Sequence, residues 1–171
     1  QALREVPGGD PAEVIAHMNR VIKVALGQDQ ETGESDDGVE LGVIRIVGPQ
    51  LTFAGARFAL NRFADGQIEE IKGDRSGIGY RKISMSQTFA NHEVITAPGD
   101  QFYIWTDGIT DQIGGVKRRS FGKRRVRGCI SDFQPMSLPR QKVHILRDFI
   151  EYQHNEERRD DITFFGFKLP E

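Results

Sequence analysis

The sequence predicts an α+β fold of antiparallel sheets covered by helices, and three observations carry that reading. Apolar residues recur with period two in short runs from Val39 to Thr106, with turn residues between the runs. Asp65-Gly66 joins two of these runs, and such a pair is a strong signal for a hairpin, hence for antiparallel pairing. Helical periodicity flanks the strand region, over 11–26 before it and around 120–132 and 138–156 after it.

The first helix starts at Asp10-Pro11, an N-cap oxygen followed by proline at the first helical position. Ile15, Met18, Ile22 and Ala25/Leu26 then recur at helical spacing, which gives an amphipathic helix over 11–26. Glu31 to Glu40 reads as an acidic, solvated loop, because it lacks the ligand spacing of a calcium loop. Strands follow at Val39–Val47, Leu51–Arg57, Phe58–Ala64 and Gln67–Ile71, broken by Gly48-Pro49 and Asp65-Gly66. After the turn-rich Gly73–Gly79 come strands at Gln87–Thr96 and Gln101–Thr106, joined by Ala97-Pro98-Gly99-Asp100. In the helix over 138–156, Val143, Leu146, Phe149 and Ile150 share a face that Ile145 and Tyr152 widen. Ile162–Leu169 closes the chain as a strand with both faces expected to be buried.

At 171 residues the chain is about one domain long, with no repeat and no linker to divide it. Hydrophobic residues at 37% and charged residues at 28% fit a globular protein and exclude a disordered one. Runs such as Phe102-Tyr103-Ile104-Trp105 are too short to cross a bilayer, and Gln1–Asp10 has no apolar signal region. A net charge of −2 gives no reason to expect nucleic acid or a membrane surface as partner. The single cysteine, Cys129, cannot form an internal disulfide and reads as a packed thiol, so a cytoplasmic location is permitted.

Two acidic clusters could carry chemistry. Thr106-Asp107-Gly108-Ile109-Thr110-Asp111 lies where one strand ends, and Arg159-Asp160-Asp161-Ile162-Thr163 where the last begins. Carboxylates at strand ends are held by rigid backbone near solvent, where a hard cation such as Mg²⁺ or Mn²⁺ can keep several waters. Each cluster taken alone also reads as an ordinary turn or cap. His17, His92, His144 and His154 have no ligand spacing. Lys117, Arg118, Arg119, Lys123, Arg124, Arg125 and Arg127 form a basic run with no acid between Asp111 and Asp132. It reads as a solvated face, or as a docking surface for an acidic or phosphorylated protein. Without interleaved aromatics, nucleic acid is the weakest of the readings.

The segment Gly99-Asp100-Gln101-Phe102-Tyr103-Ile104-Trp105-Thr106-Asp107-Gly108-Ile109-Thr110-Asp111 resembles the GD-x-hydrophobic-TDG-x-x-D motif of SpoIIE-type phosphatases, members of the metal-dependent PPM class. Leu51–Arg57 resembles that family's central strand, Ile71–Tyr80 its IKGD…IGY turn, Phe121-Gly122 its FG pair and Arg159–Thr163 its closing DDIT. The motifs stand in the family's order and span residues 11–169, nearly the whole chain. The resemblance implies two packed antiparallel β-sheets flanked by helices. It implies a serine/threonine protein phosphatase in which two Mg²⁺ or Mn²⁺ ions activate a water for in-line attack on the phosphoryl group. By motif position, Asp107 and Asp160 are the catalytic, metal-holding carboxylates, Gly108 shapes the metal turn, and Asp111 is an outer or third-ion ligand. Asp161 reads as a strand-start cap. The implied substrate is a phosphorylated STAS-type anti-sigma-factor antagonist in a bacterial partner-switching pathway. A homodimer, and a parent anchored to a membrane by other domains, stay open. The alternative is a phosphatase-like domain that binds a phosphoprotein without hydrolysing it.

One departure stands out. The family begins with a strand carrying a GGD aspartate and then a GHG segment, which supply another bridging carboxylate and a carbonyl ligand. Here Gly8-Gly9-Asp10 runs into the Pro11 helix, and no GHG segment is present. Residues 1–171 are therefore expected to form the C-terminal two-thirds to three-quarters of a single phosphatase domain. Half of the metal site would be missing, and the chain alone would be inactive or nearly so.

Overall fold

The computed structural model describes residues 2–30 and 35–169. The chain forms two compact units, Gln1–Leu60 with Glu70–Pro98, and Asn61–Glu69 with Gly99–Glu171.

In the first unit, the short helix α1 (Ala2–Glu5) and a 3₁₀ turn (Pro7–Gly9) lead into α2 (Pro11–Ala25). Asp10 caps α2 as expected, one carboxylate oxygen accepting the Glu13 N–H at 3.0 Å. Its other oxygen accepts from the Asn91 amide at 2.6 Å, and Asn91 Oδ1 accepts the Ala12 N–H at 3.0 Å. Strands β1 (Leu41–Val47), β2 (Gln50–Ala56) and β5 (His92–Ile95) complete this unit, while the hairpin of β3 (Ala59–Ala64) and β4 (Gln67–Lys72) between β2 and β5 lies mostly in the second. β2 lies between β1 and β5, antiparallel to both, and its residues 51–56 are buried. Ala12 and Ile15 of α2 pack with Ala54, Ala56 and Ile78.

The strand expected over Gln87–Thr96 shortens to His92–Ile95, because side chains claim the residues before it. Asp74 Oδ2 accepts the Ala90 N–H at 2.9 Å, while Asn91 is tied to the start of α2. The inner face of α2 is also more polar than its periodicity suggests. Buried Lys23 donates to the carbonyls of Tyr80 and Arg81, and buried Asn19 grips Ser84 O and Gly79 N–H. Main-chain groups that no strand pairs are thus satisfied by long side chains from the helix. Of the acidic loop Glu31–Glu40, residues 31–34 lie outside the described residues. Asp37 is exposed, as expected, but its main chain is held, its N–H and carbonyl both bonded to the Gln28 amide at 2.7 Å.

In the second unit, β6 (Gln101–Trp105) runs antiparallel between β3 and β9 (Phe164–Lys168), giving the sheet order β4-β3-β6-β9. Asp65 and Gly66 both have positive φ, as the tight turn joining β3 to β4 requires. Between β6 and β9 lie α3 (Asp107–Asp111), the small hairpin β7 (Ile113–Gly114) and β8 (Arg119–Ser120), α4 (Gly122–Phe133) and α5 (Leu138–Gln153). The core joins Phe63 and Tyr103 of the sheet to Ile109, Phe121, Val126, Ile130, Ile145 and Phe149. Arg62 binds Asp100 Oδ2 through Nε and Nη2, at 2.9 and 2.6 Å, with the aspartate buried.

Two sequence expectations change here. The inward face of α5 is Gln141, Ile145 and Phe149, whereas Val143, Leu146 and Ile150 are about half exposed or more. Gln141 turns inward because it is fully bonded there. Its amide donates to Gln101 Oε1 and Met136 O, both at 2.9 Å, and its Oε1 accepts from Tyr103 Oη at 2.7 Å. The last strand begins at Phe164 rather than Ile162, and its second face is covered only in part, Phe167 stacking on buried Phe102. Phe164 stacks on Trp105, while Phe165 is 53% exposed. No helix of the described residues is long and apolar enough to cross a membrane.

Candidate functional site

The two acidic clusters, far apart in sequence, meet in the second unit. Strand β6 pairs with β9 from Gln101↔Lys168 to Trp105↔Phe164, so the residues after β6 must run beside those before β9. Beyond the last paired residues the contact continues without a ladder. Thr106 N–H donates to Thr163 O at 3.0 Å, and Thr163 N–H donates back to Thr106 Oγ1 at 2.9 Å. Thr106 Oγ1 also donates to Asp161 O at 3.2 Å. Thr106 occupies the N-cap position of α3 yet makes no side-chain bond to that helix, since its hydroxyl is committed to residues 161–163.

Gly108 is buried inside this seam. A Cβ at Gly108 would stand 2.3 Å from Asp161 O and 3.0 Å from Asp161 C. Its φ is not positive, so the sharp turn is not what demands glycine; the close approach of the 161–162 backbone is. Asp107, Asp111, Asp160 and Asp161 are all exposed at this seam or beside it. Asp107 is the first residue of α3 and Asp111 its last. Asp160 Oδ1 accepts the Asp161 N–H at 2.7 Å, so the main-chain capping expected of Asp161 is done by Asp160. Asp161 contributes its backbone carbonyl instead. No group of three or more His, Cys, Asp or Glu among the described residues is arranged to hold a metal ion together.

Sequence reasoning gave no role to the residues that fasten the seam. Thr106 is one. Gln112, fully buried beside Asp111, is another: its amide donates to Glu157 O at 2.9 Å, and its own carbonyl accepts the Phe121 N–H at 2.8 Å. It therefore ties the end of α3 both to the segment that leads into Asp160 and to the start of α4. A long amide next to a cluster of carboxylates was the only signal, and composition gives such a residue no direction.

Two groups of the second unit have shifted protonation equilibria. Burial pushes Tyr103 up to about 12, the hydrogen bond with Gln141 opposing it. Burial first, then the carboxylates of Asp148 and Asp132, push the Cys129 thiol up to about 11, which keeps it a thiol rather than a nucleophile.

The family model for stage II sporulation protein E (SpoIIE) matches residues 2–170. The solved SiaA-PP2C domain of Pseudomonas aeruginosa is 31% identical, with a TM-score of 0.85 over 99% of this chain. The chain spans 65% of the length of that SiaA-PP2C chain. The PP2C phosphatase domain of SpoIIE from Bacillus subtilis, solved with a fragment of its regulatory domain, is 12% identical. It gives a TM-score of 0.63 over 91% of this chain and 43% of its own. The catalytic domain of the serine/threonine protein phosphatase PstP, solved with two manganese ions, is 13% identical. Its TM-score is 0.62, over 94% of this chain and 72% of its own. No curated protein sequence matches the chain.

Proposed function

The chain belongs to the stage II sporulation protein E family and has its PP2C-type phosphatase fold, and from that premise we propose that it serves metal-dependent hydrolysis of phosphoserine or phosphothreonine on a protein partner. The observation that carries the reading is the seam of Thr106–Gly108 against Asp161–Thr163, which brings the backbones carrying Asp107 and Asp160 together. The donors fit a hard divalent ion in kind, being exposed carboxylates on a fixed backbone. In number they fit part of a site, because such an ion takes about six oxygens and no three of these acids cluster.

We assign Asp107 and Asp160 as the ligands, Asp111 as an outer one, and Gly108 as the residue whose lack of a side chain lets the two segments close. Bound Mg²⁺ or Mn²⁺ would lower the pKa of a water and offset charge on the phosphoryl oxygens. The protein's own part is to fix the carboxylates. Thr106 holds the two segments in register, Gln112 holds α3 to the segment before Asp160, and Asp160 keeps one oxygen on the Asp161 N–H while presenting the other.

Further parts of the reading rest on family likeness. Residues 1–171 are taken as the C-terminal two-thirds to three-quarters of one such domain, in keeping with the 65% coverage of the SiaA-PP2C chain. The substrate class is a phosphorylated STAS-type protein in bacterial partner switching, and the compartment is the cytoplasm. The lack of a three-carboxylate cluster among the described residues favours one alternative, a phosphatase-like domain that binds a phosphoprotein without turning it over.

Phosphate release from a phosphorylated STAS-type protein with millimolar Mn²⁺ tests this. This chain should be nearly inactive and a chain with the family's N-terminal strands active. Asp107→Ala or Asp160→Ala in the longer chain should abolish turnover without unfolding it. Undiminished turnover in both variants would overturn the site.

A further inference from the structure

The basic run of the sequence becomes a built surface in the second unit, fastened next to the segment that carries Asp160. The β7–β8 hairpin exposes Lys117, Arg118 and Arg119, with Val116 fully exposed at its tip. Tyr152 of α5 anchors it. The Gly115 N–H donates to Tyr152 O at 2.8 Å, and Tyr152 Oη donates to Arg119 O at 2.8 Å. Arg125 at the start of α4 lies with its guanidinium 4.5 Å over the Tyr152 ring and donates to Phe121 O at 2.9 Å. Arg118 grips the Glu156 carboxylate with two nitrogens, at 2.8 and 3.0 Å.

Beside this hairpin, a shallow cleft of about 780 Å³ is lined by Arg118, Asn155, Glu156, Glu157, Arg158 and Arg159. Arg159 adjoins Asp160 in the chain, so the lining of the cleft ends one residue from a candidate ligand. Over residues 112–131 and 154–161 there are nine Lys and Arg against four Asp and Glu. Three of these cations stand on the hairpin and four on α4, elements whose backbone is already ordered, so little entropy is lost when a ligand meets them. Arginine is the side chain suited to this task, since its planar fork binds carboxylate and phosphate oxygens in pairs. Stacked bases are not the natural ligand, because the aromatic rings here, Phe121 and Tyr152, are packed against one another and against Arg125.

We propose that the β7–β8 hairpin with Arg158 and Arg159 is a docking surface for an acidic protein segment flanking a phosphoserine or phosphothreonine. The segment would lie along the cleft so that the phosphorylated residue is directed toward Asp160. The identity of the occupant rests on the phosphatase reading; the surface and its charge do not.

The test is peptide binding to this chain in EDTA, followed by fluorescence anisotropy, so that no hydrolysis enters. Three probes of equal length are used: a phosphoserine peptide with Asp and Glu flanks, one with Ser and Gln flanks, and a single-stranded RNA of matched charge. The acidic phosphopeptide should bind about tenfold more tightly than the neutral-flanked one and weaken at least about tenfold from 50 to 500 mM NaCl. Arg158→Ala with Arg159→Ala, and separately Lys117→Ala with Arg119→Ala, should each weaken it about five- to tenfold. Lys72→Ala, an exposed cation of the first unit, should leave it unchanged. Equal affinity for the two phosphopeptides, insensitivity to salt, undiminished binding in both double variants, or tighter binding of the RNA would each overturn the proposal. Because turnover is not measured, a chain that docks the acidic peptide while the longer domain shows no phosphatase activity sinks the catalytic reading and keeps this one; the reverse pattern does the opposite.

Discussion

Thr106 Oγ1 accepts the main-chain N–H of Thr163 at 2.9 Å across 57 positions of sequence, and the Thr106 N–H returns a bond to Thr163 O at 3.0 Å. The pair extends the β6–β9 contact past the last ladder residues and joins the two acidic clusters. A β-branched residue suits such an extended position, and only one with a hydroxyl can both accept from Thr163 and donate to Asp161 O.

Thr106→Val keeps the shape and removes both hydroxyl bonds. The groups left behind are near solvent, so water replaces them in part, and the expected cost is about 1–2 kcal/mol in urea unfolding. Thr106→Ser should recover most of it. In an active longer chain, the valine variant should raise the Mn²⁺ concentration for half-activation more than it lowers kcat. The opposite split would mean that the hydroxyl does not position the ligands.

Gly108→Ala meets main chain rather than a flexible side chain, since the new Cβ would lie 2.3 Å from Asp161 O. Something rigid must move. We expect a loss of about 1–3 kcal/mol in denaturant unfolding and weaker Mn²⁺ binding, because the shift separates the segments bearing Asp107 and Asp160. Gly128→Ala is the matched control, since a Cβ there meets nothing within 4 Å and the helix position is ordinary. It should be neutral or slightly stabilising.

How much of this was legible depends on the kind of signal. The Asp10 cap, the Asp65-Gly66 hairpin and strand β6 were readable because local chemistry dictates them. The orientation of α5 was not. Gln141 is buried by partners supplied from Gln101, Tyr103 and Met136, and no hydrophobic pattern announces a glutamine that tertiary contacts satisfy. The site was legible in its acids and not in its fastenings. Asp107 and Asp160 stand in motifs, whereas the tasks of Thr106 and Gln112 arise only once strands 57 residues apart are paired. The short helix α3 was read as a turn because five residues carry no periodicity.

Tyr103 gives a pH dependence that can be signed. Burial raises its folded-state pKa to about 12 from 10.0, so the folded state holds the proton more tightly than the unfolded chain. The stabilisation is fully present below pH 10 and is lost as pH rises from about 10 to 12, by an order of 2–3 kcal/mol if no other group intervenes. Urea unfolding at pH 9, 10 and 11 should show the decline, and Tyr103→Phe should flatten it. A phenylalanine variant that retains the same slope would assign the effect to other groups.

Asp160 and Asp161 are neighbours with different duties, and this separates a ligand from a backbone prop. Asp160 accepts the Asp161 N–H through Oδ1, whereas the side chain of Asp161 makes no hydrogen bond among the described residues and its carbonyl takes the Thr106 hydroxyl. Asn at position 160 keeps a side-chain oxygen for that N–H and removes the charge. Asp160→Asn should therefore leave the free energy of urea unfolding within about 0.5 kcal/mol of the parent chain. It should nevertheless weaken Mn²⁺ binding at least about tenfold, which is 1.4 kcal/mol. Asp161→Asn also removes one negative charge near the ion, but through solvent, and should cost about twofold at most. Asp111→Asn should fall between them. Calorimetric titration of Mn²⁺ into the chain and the three variants at fixed ionic strength makes the comparison. If Asp161→Asn lost as much affinity as Asp160→Asn, the site would be responding to net charge alone, and Asp160 would have no claim to be the ligand.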